Sequence, residues 1–278
     1  MFSDWNYIES RDTIRLSQAR EQLHHAVQIP AMFARSYSPN HPEDHYGNLG
    51  WSPQLKGFAS HLVKDQWQAA LILESFKLVL LKDQQTVQEF NLMDSSLDRA
   101  IEDFKGALGA YGFRGELFSS ELPYEIASYQ SDFGFHGNAL EDLRAHFAQL
   151  YGNTDLLLTF LSRQYQGVSP HRAWPHHFDL AALFYLENAV QGHERKSIGW
   201  GFSPGDEQHR EPYYYVNCWP LPKLDQPPAI DYGKWNLEGW IGTVLPYGKF
   251  ASLSNQQVII RDYFTSSIEV LRKLLHHY

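Results

Sequence analysis

The chain alternates between stretches whose apolar residues recur at helical spacing and stretches where short apolar runs are cut off by turn residues. From Thr13 to Ala34, Leu16, Leu23, Val27 and Met32 fall at loosely helical intervals, with Pro30 near the end, and predict a helix. The runs LKGFASHLV, AALILES, KLVLLKD and TVQEFNL, spread over 55–92, then read as an antiparallel meander. Between Ser95 and Gly112, Leu97, Ile101, Phe104 and Leu108 share one helical face. Ser95 and Asp98 stand at capping-box spacing, and Gly112 stands where a helix should stop.

The same order returns. Asn138 and Glu141 repeat the capping spacing ahead of a face made of Leu143, Phe147, Leu150, Leu157, Phe160 and Leu161, which Gly152-Asn153 is expected to break in two. Four strand-like runs follow: HHFDLAALFYL, SIGWGFS, PYYYVNCWPL and GWIGTVLPY. A last helix has Ile260, Phe264, Leu271 and Leu274 as its stripe and Ser254 and Gln257 as its cap. The pattern helix, about four strands, helix thus occurs twice, and Trp51-Ser-Pro and Trp174-Pro-His open the two strand sets alike. The expected fold class is α+β: two similar halves, 1–125 and 135–278, each a mainly antiparallel sheet with flanking helices. They are expected to pack as one unit about a pseudo-twofold axis, with a pocket between them and the link inside 112–138.

Composition narrows the chemistry. A chain of 278 residues can bury roughly three quarters of its unfolded surface without a metal or a disulfide. Its net charge of −9, spread along the sequence, disfavours nucleic acid and anionic membranes as partners. Cys218 is the single cysteine, which excludes an internal disulfide and cysteine-rich zinc sites and fits a reducing cytoplasm. There is neither a signal-peptide pattern nor an apolar run of membrane-spanning length, so a cytoplasmic location is expected. Eight Trp and sixteen Tyr point to a pocket or an interface lined with rings, or simply to an aromatic-rich core.

Two segments carry candidate chemistry. In WPHHFDLAALF, strand alternation would send His176 and His177 to opposite faces and leave His177 with Asp179 on one face. Such a pair could steer an imidazole or supply two metal ligands, with His24, His209 or Glu211 as fold-dependent third ligands. The favoured reading is plainer: Asp179 accepts hydrogen bonds at a strand start and His177 lies near solvent. No cofactor is predicted, and a divalent metal is the less favoured alternative. The second segment puts Glu211, Tyr213, Tyr215, Asn217 and Trp219 on one strand face, opposite Tyr214, Val216 and Cys218, which can supply core. Facing inward, that row makes a hydrogen-bonding pocket wall; facing outward, an interface. SPGDEQHR, just before it, reads as a polar connecting turn. There is no Gly-x-Gly-x-x-Gly, P-loop or Gly-x-Ser-x-Gly elbow, and Cys218 lies mid-strand, where a low-pKa nucleophile is not expected. His24 and His25 point about 100° apart on a helix, and His276-His277 suit the negative end of a helix dipole.

Several pieces, in order, resemble a bacterial family known only as domain of unknown function 5996. They are Leu23-His24 with Gln28-Ile29, Ser169-Pro170, Phe178-Asp179-Leu180-Ala181, Gly201-Phe202 with Pro204-Gly205, Glu211-Pro212 with Tyr215, and Leu245-Pro246-Tyr247. The resemblance spans nearly the whole chain and implies no reaction. Many members have Gly-Ser where this chain has His176-His177. Gly-Lys pairs frequent in the family are replaced here by Ala31-Met32 and Gln166-Gly167, so roles resting on those lysines do not carry over.

The resulting expectation is a protein that binds a small polar or aromatic ligand through Tyr213, Tyr215, Asn217 and Trp219, with His24 as a further candidate. The alternatives are a hydrolase-like or acid/base enzyme using Asp179, Glu211 and His177, and a homodimer whose aromatic surface is its interface.

Overall fold

The computed structural model describes residues 2–39, 47–126, 138–186, 195–222, 224 and 226–276. His277 and residues 127–137 of the expected link therefore lie outside the described residues.

The first predicted helix is two, α1 (Thr13–Ala26) and α2 (Gln28–Tyr37). Pro30 has no N–H to offer the preceding turn. A restart at Gln28 puts it in the first turn of a new helix, where that donor is not needed. Strands β1 (Gly50–Ser52), β2 (Gly57–Ala59), β3 (Trp67–Ile72), β4 (Lys77–Lys82) and β5 (Gln85–Asn91) pair antiparallel in chain order. Asp83 and Gln84, both at positive φ (50° and 64°), make the tight β4–β5 turn, whose twist matches that of the strands. In α3 (Leu97–Leu108) the cap is Ser96 rather than Ser95: its hydroxyl accepts the Arg99 N–H at 3.1 Å, and Asp98 then sits in the first turn. Gly112 ends the following 3-10 turn at φ 80°, the left-handed stop its position predicts.

The next helix is not broken at Gly152-Asn153; α4 runs from Glu141 to Ser162 without interruption. Asn153 is fully buried, and its amide accepts the Asn6 N–H (2.8 Å) and donates to the Asn6 carbonyl (2.7 Å). The polar residue that looked like a breaker instead holds the N-terminal segment. β6 (Arg172–Trp174), β7 (Asp179–Tyr185), β8 (Ser197–Ser203), β9 (Tyr213–Trp219), β10 (Lys234–Asn236), β11 (Gly242–Pro246) and α5 (Gln256–His276) complete the chain. The architecture is α+β with antiparallel sheets. No helix among the described residues is long and apolar enough to cross a membrane.

The chain separates into two compact units with interleaved bounds. One comprises Ile14–Gln149 and Arg172–Phe178 and holds the β1–β5 sheet. In it Leu49 and Ala173 exchange backbone hydrogen bonds (2.9 and 2.8 Å), which ties β6 to the start of β1. Phe33, Phe104, Phe113 and Phe118 form a ring cluster with centroids 5.2–6.0 Å apart. The other unit comprises Met1–Thr13, Leu150–His171 and Asp179–Tyr278. Its strands run in the order β10-β11-β9-β8-β7, so the last hairpin is not in chain order as the meander of the first sheet is. One face of these strands, through Phe202 and Tyr214, packs on Tyr151 of α4 and Phe264 of α5 (5.1 and 5.5 Å). Tyr214, Val216 and Cys218 are buried there, as the alternation of β9 requires.

Candidate functional site

The opposite face of the same strands is built differently. Register places Asp179 and Ala181 of β7, Gly199, Gly201 and Ser203 of β8, Tyr213, Tyr215 and Asn217 of β9, and Gly242 and Val244 of β11 on one side. Gly201 lies between Ala181 and Tyr215. A Cβ there would come within 2.6 Å of the Leu180 carbonyl oxygen and 2.7 Å of the Ala181 Cβ. With that space clear, the Tyr215 phenol crosses β8 and donates to Asp179 on β7. Gly199 clears the next position for Asn217, whose Oδ1 would be 2.3 Å from an added Cβ.

A second phenol and carboxylate stand beside the first. Tyr213 donates to Asp206 at 2.5 Å, and its ring lies 6.2 Å from that of Tyr215. Burial, and after it the neighbouring aspartate, lifts both phenols far above the usual tyrosine range: Asp206 at Tyr213 and Asp179 at Tyr215. Both stay protonated at any physiological pH, so they act as fixed donors and not as bases. Asp206 also organises the loop after β8. Its other oxygen accepts the N–H groups of Gln208 (2.8 Å) and His209 (2.6 Å), an Asx-type turn, while its own N–H donates to the His209 carbonyl (2.8 Å). Gly205 enters this loop at φ 105°, a conformation that favours glycine.

The loop and the strand ends enclose a cleft of ≈ 390 Å³. Glu211 and Tyr213 line it from β9 and the residues just before it, Val244 and Pro246 from β11, and Lys234 from β10; Thr13, Gln208, His209 and Arg210 complete the wall. Glu211 lies two residues before β9 rather than opening it, and its Oε2 accepts the Gly248 N–H at 2.9 Å. The orientation of Asn236 is fixed because its NH₂ donates to the Glu238 and Trp240 carbonyls (2.9 and 2.7 Å). Its oxygen therefore accepts from His209 Nε2 (3.1 Å), which assigns the ring proton to Nε2 and leaves Nδ1 as an acceptor.

The candidates from the sequence are thus distributed. Asp179, Tyr213 and Tyr215 form one cluster, and Glu211 and Tyr213 share the cleft. Asn217 lies along the same face, and Trp219, half exposed, at its end. His24 and His177 belong to the other unit.

His177 does not stand on a strand as the sequence predicts, because residues 175–178 are a turn: the N–H groups of His177 and Phe178 both donate to the Trp174 carbonyl (3.1 and 2.7 Å). Phe178 takes φ 58° and β7 begins at Asp179, so alternation does not relate His177 to Asp179. Nor do the two imidazoles diverge; the rings of His176 and His177 lie 4.3 Å apart. His24 is a clamp on this turn. Its Nε2 and the Gln28 side chain both meet the Pro175 carbonyl (2.7 and 2.9 Å), and its ring stacks on Phe178 at 5.7 Å. Among the described residues no group of three or more His, Cys, Asp or Glu side chains is arranged to hold a metal ion.

Sequence reasoning missed Asp206, Arg210 and Lys234. The Asx-turn signal of Asp206, two residues before Gln208, was available; β10, which carries Lys234, is too short to show a period.

A family model described as a family of unknown function (DUF5996) matches residues 12–276. No curated protein and no solved structure matches the chain.

Proposed function

The chain belongs to the DUF5996 family, whose function is unknown, and from that premise we propose that it binds a small polar ligand in the cleft lined by Glu211 and Tyr213. The observation that carries this reading is a formed cleft in which Gln208, His209, Glu211 and Tyr213 are already held by protein partners. Its volume of ≈ 390 Å³ lies at the lower end of the range of small-molecule sites. Asp206 holds Tyr213 in place and Gly248 holds Glu211, so the wall needs little ordering when a ligand arrives. Binding is favoured over acid/base chemistry because Asp179 is engaged by Tyr215 and Glu211 by Gly248, and neither phenol is a base.

The test is a metabolite screen by thermal shift and native mass spectrometry on the wild type and on Thr13→Trp, which fills the cleft without changing charge. Ligands should bind the wild type and lose at least about tenfold in affinity in the variant. Ligands that bind both proteins equally, or a screen in which nothing binds the wild type, would remove the reading.

A further inference from the structure

We infer that the ligand of this cleft is a small organic anion that also carries a hydroxyl or ammonium donor. The inference rests on the binding reading above and adds the chemical class. In a chain of net charge −9, the cleft gathers two cations, Arg210 and Lys234, and neither has an ion-pair partner among the described residues. On this concave wall the two cations outnumber the single carboxylate that lines it among the described residues, Glu211, and so attract an anion against the sign of the whole molecule.

They stand on different elements. Arg210 is on the loop between β8 and β9, and Lys234 on β10 is aligned with Val244, which is aligned with Tyr215. At roughly 4.8 Å per strand, Lys234 and Tyr215 are about 10 Å apart at their Cα atoms. Arg210 and Lys234 both line the same cleft, so an anionic group inside it meets cations carried by two separate elements.

Of the remaining polar groups of the cleft, Glu211 and Tyr213 accept rather than donate. Glu211 commits Oε2 to Gly248 and keeps acceptor capacity on Oε1. Tyr213 gives its proton to Asp206, so its oxygen can offer a ligand only lone pairs. Two cationic donors beside neutral and anionic acceptors match a molecule with an anionic group and a donor, such as a hydroxy acid, an amino acid or a polyol phosphate. Such a wall does not suit a neutral aromatic: among the described residues Val244 and Pro246 are its only aliphatic members.

Calorimetric titration of the intact protein with L-malate, L-glutamate and glycerol 3-phosphate tests the assignment, with succinate as an anion lacking a donor and glycerol and benzyl alcohol as neutral probes. At least one donor-bearing anion is expected to bind about tenfold more tightly than either neutral probe and to weaken in 0.5 M salt. Arg210→Gln and Lys234→Gln should each weaken it about tenfold, and Glu211→Gln should erase its advantage over succinate. Circular dichroism of each variant separates lost binding from lost folding. If neutral probes bind as tightly as the anions and Thr13→Trp abolishes that binding, the anion assignment is overturned and the cleft remains a binding site. If the charge variants bind like the wild type, the assignment fails in the same way. If no probe binds, the assignment fails; the metabolite screen judges the cleft separately.

Discussion

Tyr215 reaches across an entire β-strand to donate its phenolic proton to Asp179, and it can do so because Gly201 leaves the intervening position without a side chain. The bond is part-buried, with Asp179 the more enclosed partner, and the neutral phenol and the carboxylate depend on each other. Tyr215→Phe should lower the unfolding free energy by about 1–3 kcal/mol, since it leaves a buried carboxylate short of a donor. Asp179→Asn, which keeps an acceptor, should cost less than Asp179→Ala. Urea denaturation of the three variants ranks them, and a Phe variant as stable as wild type would refute the dependence.

Gly201→Val makes the complementary test. The new side chain meets the Leu180 backbone at 2.6 Å, so the strand must shift and the Tyr215 bond should be lost along with it. A loss of about 1–3 kcal/mol is expected from overpacking alone. In the double variant with Tyr215→Phe the two losses should fall short of their sum, because both act on one contact.

Acid should weaken the unit that contains His24. Burial above all, and then the charges of His25, Arg20 and His177, lower its pKa from the ordinary 6.5 to about 4, against a raising contribution from its bond to the Pro175 carbonyl. Between those values the unfolded chain holds a proton that the folded one does not, so stability is complete above pH 6.5 and falls as the pH drops toward 4. Below 4 both states are protonated and this contribution to the slope vanishes. His176, also lowered to about 4 by burial and by His177, acts in the same direction. His24→Gln should flatten the dependence of the urea midpoint on pH by up to about 1.4 kcal/mol per pH unit in this window.

Cys218 should be inert in the native protein. Burial pushes its thiol up to about 12, so thiolate is scarce at pH 8. Iodoacetamide should leave Cys218 unmodified in buffer and alkylate it fully in urea; rapid native alkylation would contradict the burial.

The Asn153 amide should anchor the N-terminal segment. Asn153→Leu removes both bonds to Asn6 and should cost about 1–3 kcal/mol. Hydrogen exchange should show the Asn6 amide losing protection before α5 does.

How much of this was legible in the sequence followed from how local each cause was. SIGWGFS is a strand over all of its predicted length, because Ile198, Trp200 and Phe202 alternate with small residues, and periodicity alone carries that signal. The same alternation set Tyr213 and Tyr215 apart from Tyr214. Two strands of three residues each, β6 and β10, were not read, since so few positions cannot establish a period. Missing β10 meant missing Lys234. His177 was misplaced because nothing in a phenylalanine announces the left-handed backbone that Phe178 adopts. Ser96 took the cap assigned to Ser95 because two adjacent serines offer the same chemistry, and a one-residue choice is settled by packing. Within SPGDEQHR the turn was evident, but the grip of Asp206 on Tyr213 depends on a contact that only the folded chain creates.

That grip has a mechanical consequence. One carboxylate fastens the Gln208 and His209 amides and the Tyr213 ring, so the loop bearing Arg210 and the strand bearing Tyr213 move as a single piece. Free and occupied forms of the cleft should then superimpose closely, and differences in ligand affinity should appear in how fast a molecule leaves rather than in any rearrangement that admits it.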